Sequence, residues 1–385
     1  MTVRAPKLLF FVTEDWYFCS HRLPLAVAAR KAGYEVKIMT RLHQHGDLIR
    51  AAGIEVIPLT LARGGVNPFK ELRTLISLYR HLRVEQPDIL HNVALKPVLY
   101  GSLAARMAGI PGLVNAIAGL GHIFVTAQRA DLLRKGVTLA FRHLLRGHGT
   151  VILQNPDDQA LLERSGALAP DQSVLIRGAG VDLDAFRPQT RPDNSPPIVI
   201  LASRLLWDKG VGEFVAAADR LKSAGVQARF VLVGAPDPEN RSSISQEQLD
   251  DWQRSGIIEW WGKRADMPEV FAAADLVCLP SYYGEGIPKA LIEAAACGRA
   301  LITTDMPGCR EVVRDGENGL LVPPRDAVAL ADALKRLLEN PDLCQRMGAA
   351  GRLRAEREFG QDAVIAQTLE VYRRLLKRDG HHPAA

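Results

Sequence analysis

The strongest constraint on how this chain can fold is an alternation, run through twice, of short apolar segments without helical period and longer amphipathic ones. In the first series, residues 7–13, 35–39, 54–58, 88–91 and 112–116 read as strands, with helices near 21–33, 69–84 and 97–108. The run Leu8-Leu9-Phe10-Phe11-Val12 shows why. A continuous apolar stretch of this length suits a strand buried on both faces, as in a parallel sheet covered by helices. The second series opens at Ile198 and places strands at 228–234, 257–262, 275–279, 300–303 and 319–322, then helices at about 326–339, 342–358 and 361–378. Strands interleaved with helices predict doubly wound parallel sheets. A chain of 385 residues exceeds what one core comfortably covers, so two α/β domains are expected.

The expected boundary follows Gly180-Val181-Asp182 and Phe186-Arg187-Pro188, where the proline-rich, polar run 190–197 has the composition of a linker. The domains are therefore set at 1–188 and 189–365, with 366–385 as a terminal helix and tail packing back on the first domain.

The charge is uneven between the halves. Residues 1–190 hold 23 of the 48 Lys and Arg but 15 of the 43 Asp and Glu, leaving 25 against 28 for the remainder. A basic first half faces phosphate-bearing partners: anionic lipid, a diphosphate or nucleic acid. Nucleic acid is the weakest of these, because no RNA-binding aromatic signature or zinc-finger spacing accompanies the charge. The segments 69–83 and 131–146 mix apolar with basic residues. Their ordinary reading is a core-facing helix with a solvated basic side, and contact with an anionic membrane is the competing one. No apolar run reaches the roughly 18–20 residues of a bilayer crossing. Leu8–Val12 is too short for an export signal and runs into Glu14-Asp15. Cys19, Cys278, Cys297, Cys309 and Cys344 are scattered and lack a C-x-x-C pair, which argues against disulfides and structural zinc and fits a reducing cytoplasm.

Ligands of doubly wound sheets bind at the carboxyl ends of strands. Five loops there are chemically loaded: 14–22, 92–97, 118–122, 203–210 and 281–288. In the fourth, Arg204 and Lys209 follow a strand directly and precede a helix, well placed to neutralise a diphosphate. In the last, Glu285 stands at a helix mouth and Glu293 inside the helix. Eight residues of helix span on the order of 12 Å, beyond the roughly 5–9.5 Å of paired glycosidase carboxylates, so the two acids could instead hold the ends of one elongated ligand. The ordinary alternative is a capping glutamate and a surface glutamate. Neither G-x-G-x-x-G nor G-x-x-x-x-G-K-[ST] occurs, which removes the usual signatures of dinucleotide redox and P-loop chemistry.

The spacing Glu285…Glu293 matches the E-x7-E motif of family 4 glycosyltransferases, and Asp305-Met306-Pro307-Gly308 with Asp315-Gly316-Glu317-Asn318-Gly319 continues the likeness. Gly180-Val181-Asp182 and Arg204-Leu205…Lys209-Gly210 resemble the hinge and the diphosphate clamp of that family, nearly the full length being covered. The resemblance implies a GT-B architecture, two Rossmann-like domains facing each other across a cleft. It also implies transfer from a nucleotide-diphosphate sugar, UDP favoured, with retention of configuration and without metal or other cofactor. In this likeness Arg204 and Lys209 hold the diphosphate, Glu293 the ribose, Glu285 the sugar, and Gly286, Ile287 and Pro288 bring the helix N-terminus to the phosphates. Gly262 and Lys263 meet the base, His122 lies near the reacting centre, and His21, Arg22 and Lys96 line the acceptor side. The first half resembles members acting on polyprenyl-diphosphate-linked glycans, expected on the cytoplasmic face of a membrane. The family's common E-G-F-G appears here as Glu285-Gly286-Ile287-Pro288, which removes a backbone donor at Pro288 and puts Lys289 near the donor. A GT-B nucleotide-sugar epimerase and a non-catalytic partner subunit are the competing readings.

Overall fold

The computed structural model describes residues 4–61, 67–121, 131–189 and 195–378. The chain leaves a first unit after Ala179 and returns to it after Gln361, so that residues 180–361 form a second unit. Both crossings come earlier than the expected boundaries at 188/189 and 365/366. The segment Gly180–Pro188 is built into the second unit. Val181 N donates to Phe359 O and Gln361 N to Val181 O, each at 2.9 Å, while Arg352 Nη1 donates to the carbonyls of Leu183 and Phe186 at 3.2 and 2.8 Å. Proline-rich composition therefore marks an approach to the second sheet, not the crossing. The crossing depends on a glycine: Gly180 has φ +75°, and a Cβ there would fall 2.6 Å from the Cα of Gln361.

In the first unit β1 (Lys7–Glu14), β2 (Glu35–Arg41), β3 (Glu55–Pro58), β4 (Ile89–Val93), β5 (Gly112–Ile117), β6 (Thr150–Leu153) and β7 (Ser173–Leu175) form one sheet in the order β3-β2-β1-β4-β5-β6-β7. Every pairing is parallel. Strand β1 explains its own sequence. Leu8, Phe10 and Val12 enter the core on one face and Leu9 and Phe11 the core on the other, the period-2 arrangement that an unbroken apolar run permits. The helix Gln361–Arg378 contributes Val364, Val371, Tyr372, Leu375 and Leu376 to the first of these cores.

The second unit repeats the plan with β8 (Ile198–Ala202), β9 (Arg229–Val233), β10 (Glu259–Trp260), β11 (Leu276–Leu279), β12 (Ala300–Thr304) and β13 (Gly319–Val322), in the order β10-β9-β8-β11-β12-β13. These pairings are also parallel. Val199 and Leu201 of β8 face one core, Ile198, Ile200 and Ala202 the other. In each sheet the winding reverses beside the opening strand, between β1 and β4 and between β8 and β11. Such reversals open a crevice at the carboxyl ends of the strands. Among the described residues no helix is long and apolar enough to cross a membrane.

One loop expectation needs correction, and three elements were not anticipated. Residues 14–22 do not form a loop: β1 runs through Glu14, and Asp15–His21 is a helix, with Asp15 in its first turn, where a negative charge suits the helix dipole. Strands β6 and β7 and the helix Pro156–Arg164 between them carry no prediction, because their short apolar runs are hemmed by turn residues.

Candidate active site

At the β8/β11 reversal two loops meet. The short 3-10 turn Trp207–Lys209 follows β8 and ends at Gly210, which starts the helix Val211–Ser223. Gly210 has φ +76°, and a Cβ there would lie 2.1 Å from Pro280 O, so only glycine lets this loop press against the end of β11. Tyr282 N then donates to Asp208 O at 3.0 Å. This approach brings Lys209 Nζ onto Glu285 Oε2 in an ion pair whose side chains are 12% and 13% exposed. Ser281 Oγ donates to Glu285 Oε1 at 2.6 Å, so both carboxylate oxygens are held.

Pro288 caps the helix Lys289–Ala296 from outside, with φ −66° and ψ 117°. Glu293 sits one turn into that helix, 5% exposed, and its Oε1 pairs with Lys289 Nζ. Burial pushes the Glu293 carboxyl above its ordinary range, a rise that the Lys289 charge opposes. Lys289 Nζ also stands 5.8 Å from the Phe186 ring centroid, within cation–π reach. The backbone between the two acids is pinned from behind by the helix Pro307–Val312. A Cβ on Gly308 would fall 1.4 Å from Gly286 O and 2.8 Å from Glu285 O, so that contact is made backbone to backbone.

On the far side of β8, Arg204 Nη1 pairs with Asp237 Oδ2 at 2.8 Å. Gly234 N donates to Gly262 O at 2.8 Å and Ser203 N to Val233 O at 3.0 Å, which ties the ends of β8, β9 and β10 together. Lys263 is exposed beyond them.

In the first unit the β1/β4 reversal gathers another set. Arg22, at the junction of helices Asp15–His21 and Leu23–Lys31, is 4% exposed, and its Nε has no hydrogen-bond partner among the described residues. His91 on β4 is fully buried, with Nδ1 2.5 Å from Tyr372 Oη. Burial, reinforced by the Arg22 charge, holds this imidazole well below its ordinary value and therefore neutral. Lys96 Nζ pairs with Glu71 Oε1 at 2.8 Å, and Tyr100 Oη donates to Glu71 Oε2 at 2.8 Å. Burial and that bond push the Tyr100 phenol up to about 12. Ala94, just before Lys96, has φ +78°, a conformation that costs a non-glycine residue on the order of 1–3 kcal/mol and persists only where its surroundings enforce it.

A family model described as "Glycosyl transferases group 1" matches residues 182–354, and one described as "Glycosyl transferase 4-like" matches residues 7–155. The N,N'-diacetylbacillosaminyl-diphospho-undecaprenol alpha-1,3-N-acetylgalactosaminyltransferase of Campylobacter jejuni is 30% identical over 376 residues, covering 92% of this chain and 95% of its own length. This chain is a family 4 glycosyltransferase. The UDP-Gal:alpha-D-GlcNAc-diphosphoundecaprenol alpha-1,3-galactosyltransferase of Escherichia coli is a further relative, 26% identical over 294 residues, covering 73% of this chain and 74% of its own. Among solved structures, HepE of Anabaena in complex with UDP and glucose superposes with a TM-score of 0.76 at 18% identity, over 95% of this chain and 99% of that one, which establishes the GT-B fold.

The glycosyltransferase brings Lys209, Glu285, Gly286, Ile287, Pro288 and Glu293 to one stretch of the second sheet's edge and sets Arg204, Gly262 and Lys263 along the neighbouring strand ends. His21, Arg22 and Lys96 belong to the first unit's edge, and His122 lies outside the described residues. His21 stacks on Tyr17 at 4.1 Å. Sequence reasoning missed Ser281, Asp237 and the packing role of Gly308. It also gave no role to His43 and His45, whose backbone N–H groups donate to Asp15 Oδ2 at 2.7 and 3.0 Å, while His43 Nε2 lies 3.0 Å from Glu14 Oε2. Nothing but their position after β2 could have signalled them.

Proposed function

We propose that this glycosyltransferase moves a hexose-type sugar from a UDP-sugar to a polyprenyl-diphosphate-linked glycan at the cytoplasmic face of a membrane, retaining anomeric configuration and needing no metal ion. The reading is carried by the pairing of each acid of the E-x7-E motif with a lysine, Glu285 with Lys209 and Glu293 with Lys289. Each pair offers a carboxylate that accepts sugar hydroxyls beside a cation that attracts phosphate.

In this reading Glu293 takes the ribose hydroxyls and Glu285 those of the transferred sugar. Lys209 and Arg204 neutralise the diphosphate, and the backbone of Gly286, Ile287 and Pro288 sets the helix start against it. The base meets Gly262 and Lys263. As the bond from C1 to the diphosphate breaks, the acceptor hydroxyl attacks the same face and gives its proton to the departing phosphate oxygen. The cations stabilise the charge that grows on that oxygen, which replaces both a nucleophile and a metal. The family likeness implies a role near the reacting centre for His122, and the acceptor is assigned to His21, Arg22 and Lys96. Support for the acceptor class comes from the two relatives whose names carry undecaprenol-diphosphate sugars, and for UDP from the donor named for the Escherichia coli relative.

The test is a donor panel of UDP-, GDP- and dTDP-hexoses against a polyprenyl-diphosphate-linked sugar, with and without EDTA. EDTA-resistant transfer from one UDP-sugar, with product and donor of like anomeric configuration, is expected. Inversion, or turnover of the UDP-sugar without any acceptor, overturns the reading, the latter in favour of an epimerase or hydrolase.

A further inference from the structure

The carboxyl end of β1 is built around two buried acids. From Phe11 to Glu14, β1 uses three residues where β2 uses two, Met39 to Arg41, and an extra residue of this kind re-aims a side chain at a strand end. The Glu14 carboxylate meets His43 Nε2 through Oε2 at 3.0 Å and Arg41 Nη1 through Oε1 at 3.8 Å. Asp15 is fully buried. Its Oδ1 accepts from Trp16 N at 2.7 Å, and its Oδ2 accepts from His43 N and His45 N at 2.7 and 3.0 Å. One carboxylate therefore ties the start of the helix Asp15–His21 to the turn after β2 and holds the backbones of Trp16 and His43 on its two oxygens.

A sugar ring has an apolar face of C–H groups and a rim of hydroxyls, so its sites combine an aromatic wall with a few fixed hydrogen-bonding groups. Trp16 is half-buried, and Tyr17, itself stacked on His21, braces its ring edge to face at 5.8 Å. A carboxylate only accepts hydrogen bonds, so Glu14 fixes the proton of a neutral His43 on Nε2 and leaves Nδ1 as an acceptor. The His43 side chain is 37% exposed. Arg22 follows the helix directly. A charge buried as deeply as this one is ordinarily paired, yet Arg22 Nε has no partner among the described residues. The groups that feel its charge, His91 and Tyr372, are both held neutral by burial.

We propose that the helix Asp15–His21 and the turn at His43 form the subsite for the acceptor sugar that is joined to the diphosphate. The ring lies against Trp16, His43 Nδ1 accepts one of its hydroxyls, and Arg22 meets the phosphate beside it. Asp15 is a positioning residue that touches no substrate, and His21, assigned to the acceptor above, serves as the brace behind Tyr17. The subsite rests on the acceptor class proposed above and adds to it the part that recognises a sugar.

The test measures transfer from UDP-hexoses to short-chain polyprenyl-diphosphate-linked N-acetylglucosamine and N,N'-diacetylbacillosamine, the sugars in the names of the two relatives. Trp16→Ala and His43→Ala should each raise KM for the acceptor that is used at least fivefold, with UDP affinity by calorimetry within twofold of wild type. Sugar-free polyprenyl diphosphate should inhibit both variants as well as it inhibits wild type, which also shows that their first unit is folded, and should inhibit Arg22→Gln at least fivefold less. Acceptors deoxygenated at one hydroxyl at a time add a readout that a structural role does not move. One of them should cost wild type about fivefold and His43→Ala nothing further. KM within twofold of wild type in either variant, an equal loss of the sugar-free inhibitor, or every deoxygenated acceptor costing His43→Ala as much as wild type overturns the subsite. Those results leave the acceptor class standing, because the wild type still transfers; a wild type that transfers to neither acceptor overturns both.

Discussion

Lys209 and Glu285, 76 residues apart in the chain, close an ion pair over the point where the second sheet reverses its winding. Each is the nearest opposite charge to the other, and both are mostly buried. Removing one side strands a poorly hydrated charge, which costs roughly 3 kcal/mol when a buried pair is broken. In the proposed reaction, loss of Lys209 also removes a cation from beside the departing diphosphate, and loss of Glu285 removes the acceptor of the sugar hydroxyls. Lys209→Ala and Glu285→Gln are each expected to lower kcat/KM for transfer by about a hundredfold or more. The double variant should lose less than the product of the two, because the pair acts as a unit. Steady-state kinetics on all four proteins reads this out; single variants within twofold of wild type would end the donor assignment.

Gly308 separates packing from backbone strain. Gly308→Ala must push its helix away from Gly286 O, a backbone atom with no rotamer to yield, and the cost should be about 2–4 kcal/mol. Gly225→Ala is the control, since Gly225 has φ +80° and open space around its Cβ position, so it pays only the left-handed penalty of about 1–2 kcal/mol. Thermal midpoints should therefore fall further for Gly308→Ala. Affinity for UDP, followed by calorimetry, should weaken in Gly308→Ala alone.

What the sequence disclosed follows from range. Strand β1 could be read because an apolar run such as Leu8–Val12 is itself the cause of burial on both faces, and the Glu285…Glu293 spacing because it is local. The pairing of Lys209 with Glu285 and the support of Gly286 by Gly308 depend on which strands lie side by side, and no period encodes that. The boundary at 188/189 failed for a related reason. Proline-rich composition is a local signal, whereas the crossing at Gly180 is set by a close approach to Gln361. The helix Asp15–His21 was hidden because its polar and aromatic residues resemble a loop until His43 and His45 fold over Asp15.

Asp158 offers a pH test in the first unit. It heads the helix Pro156–Arg164, where Asn155 Oδ1 accepts from Asp158 N at 2.8 Å and Asn155 Nδ2 donates to Asp158 Oδ2 at 2.9 Å. Burial raises its carboxyl from 3.8 to about 6. A raised folded-state value means that the protonated form is favoured in the fold, so its contribution to stability is complete below pH 3.8 and is lost as pH rises through about 6. Asp158→Asn keeps the acceptor oxygen and removes that loss. Stability relative to wild type should rise between pH 4 and 7 by roughly 2–3 kcal/mol and then level off. Chemical denaturation across pH measures the difference, and a flat difference would refute the assignment of this group.

Glu293 sets function against stability in one side chain. Its carboxyl is buried and its ordinary value raised by that burial, with Lys289 only partly opposing. Its ionised form therefore costs the fold something. The sign follows the rule for a raised acid: its contribution is present below about pH 4.5, the ordinary value, and is lost as pH rises through the folded-state value. Glu293→Gln should then melt higher than wild type at pH 7–8, with the gap closing toward pH 4.5, while Lys289, 30% exposed, turns to solvent. If Glu293 is the ribose acceptor, the same variant should bind UDP at least tenfold more weakly, since a neutral amide accepts hydroxyl hydrogen bonds less strongly than a carboxylate. Inorganic diphosphate, which has no ribose, should compete against UDP equally well in both proteins. A variant that melts higher and keeps full UDP affinity would leave Glu293 a purely structural charge; one that loses UDP and diphosphate alike would move it to the phosphate end of the site.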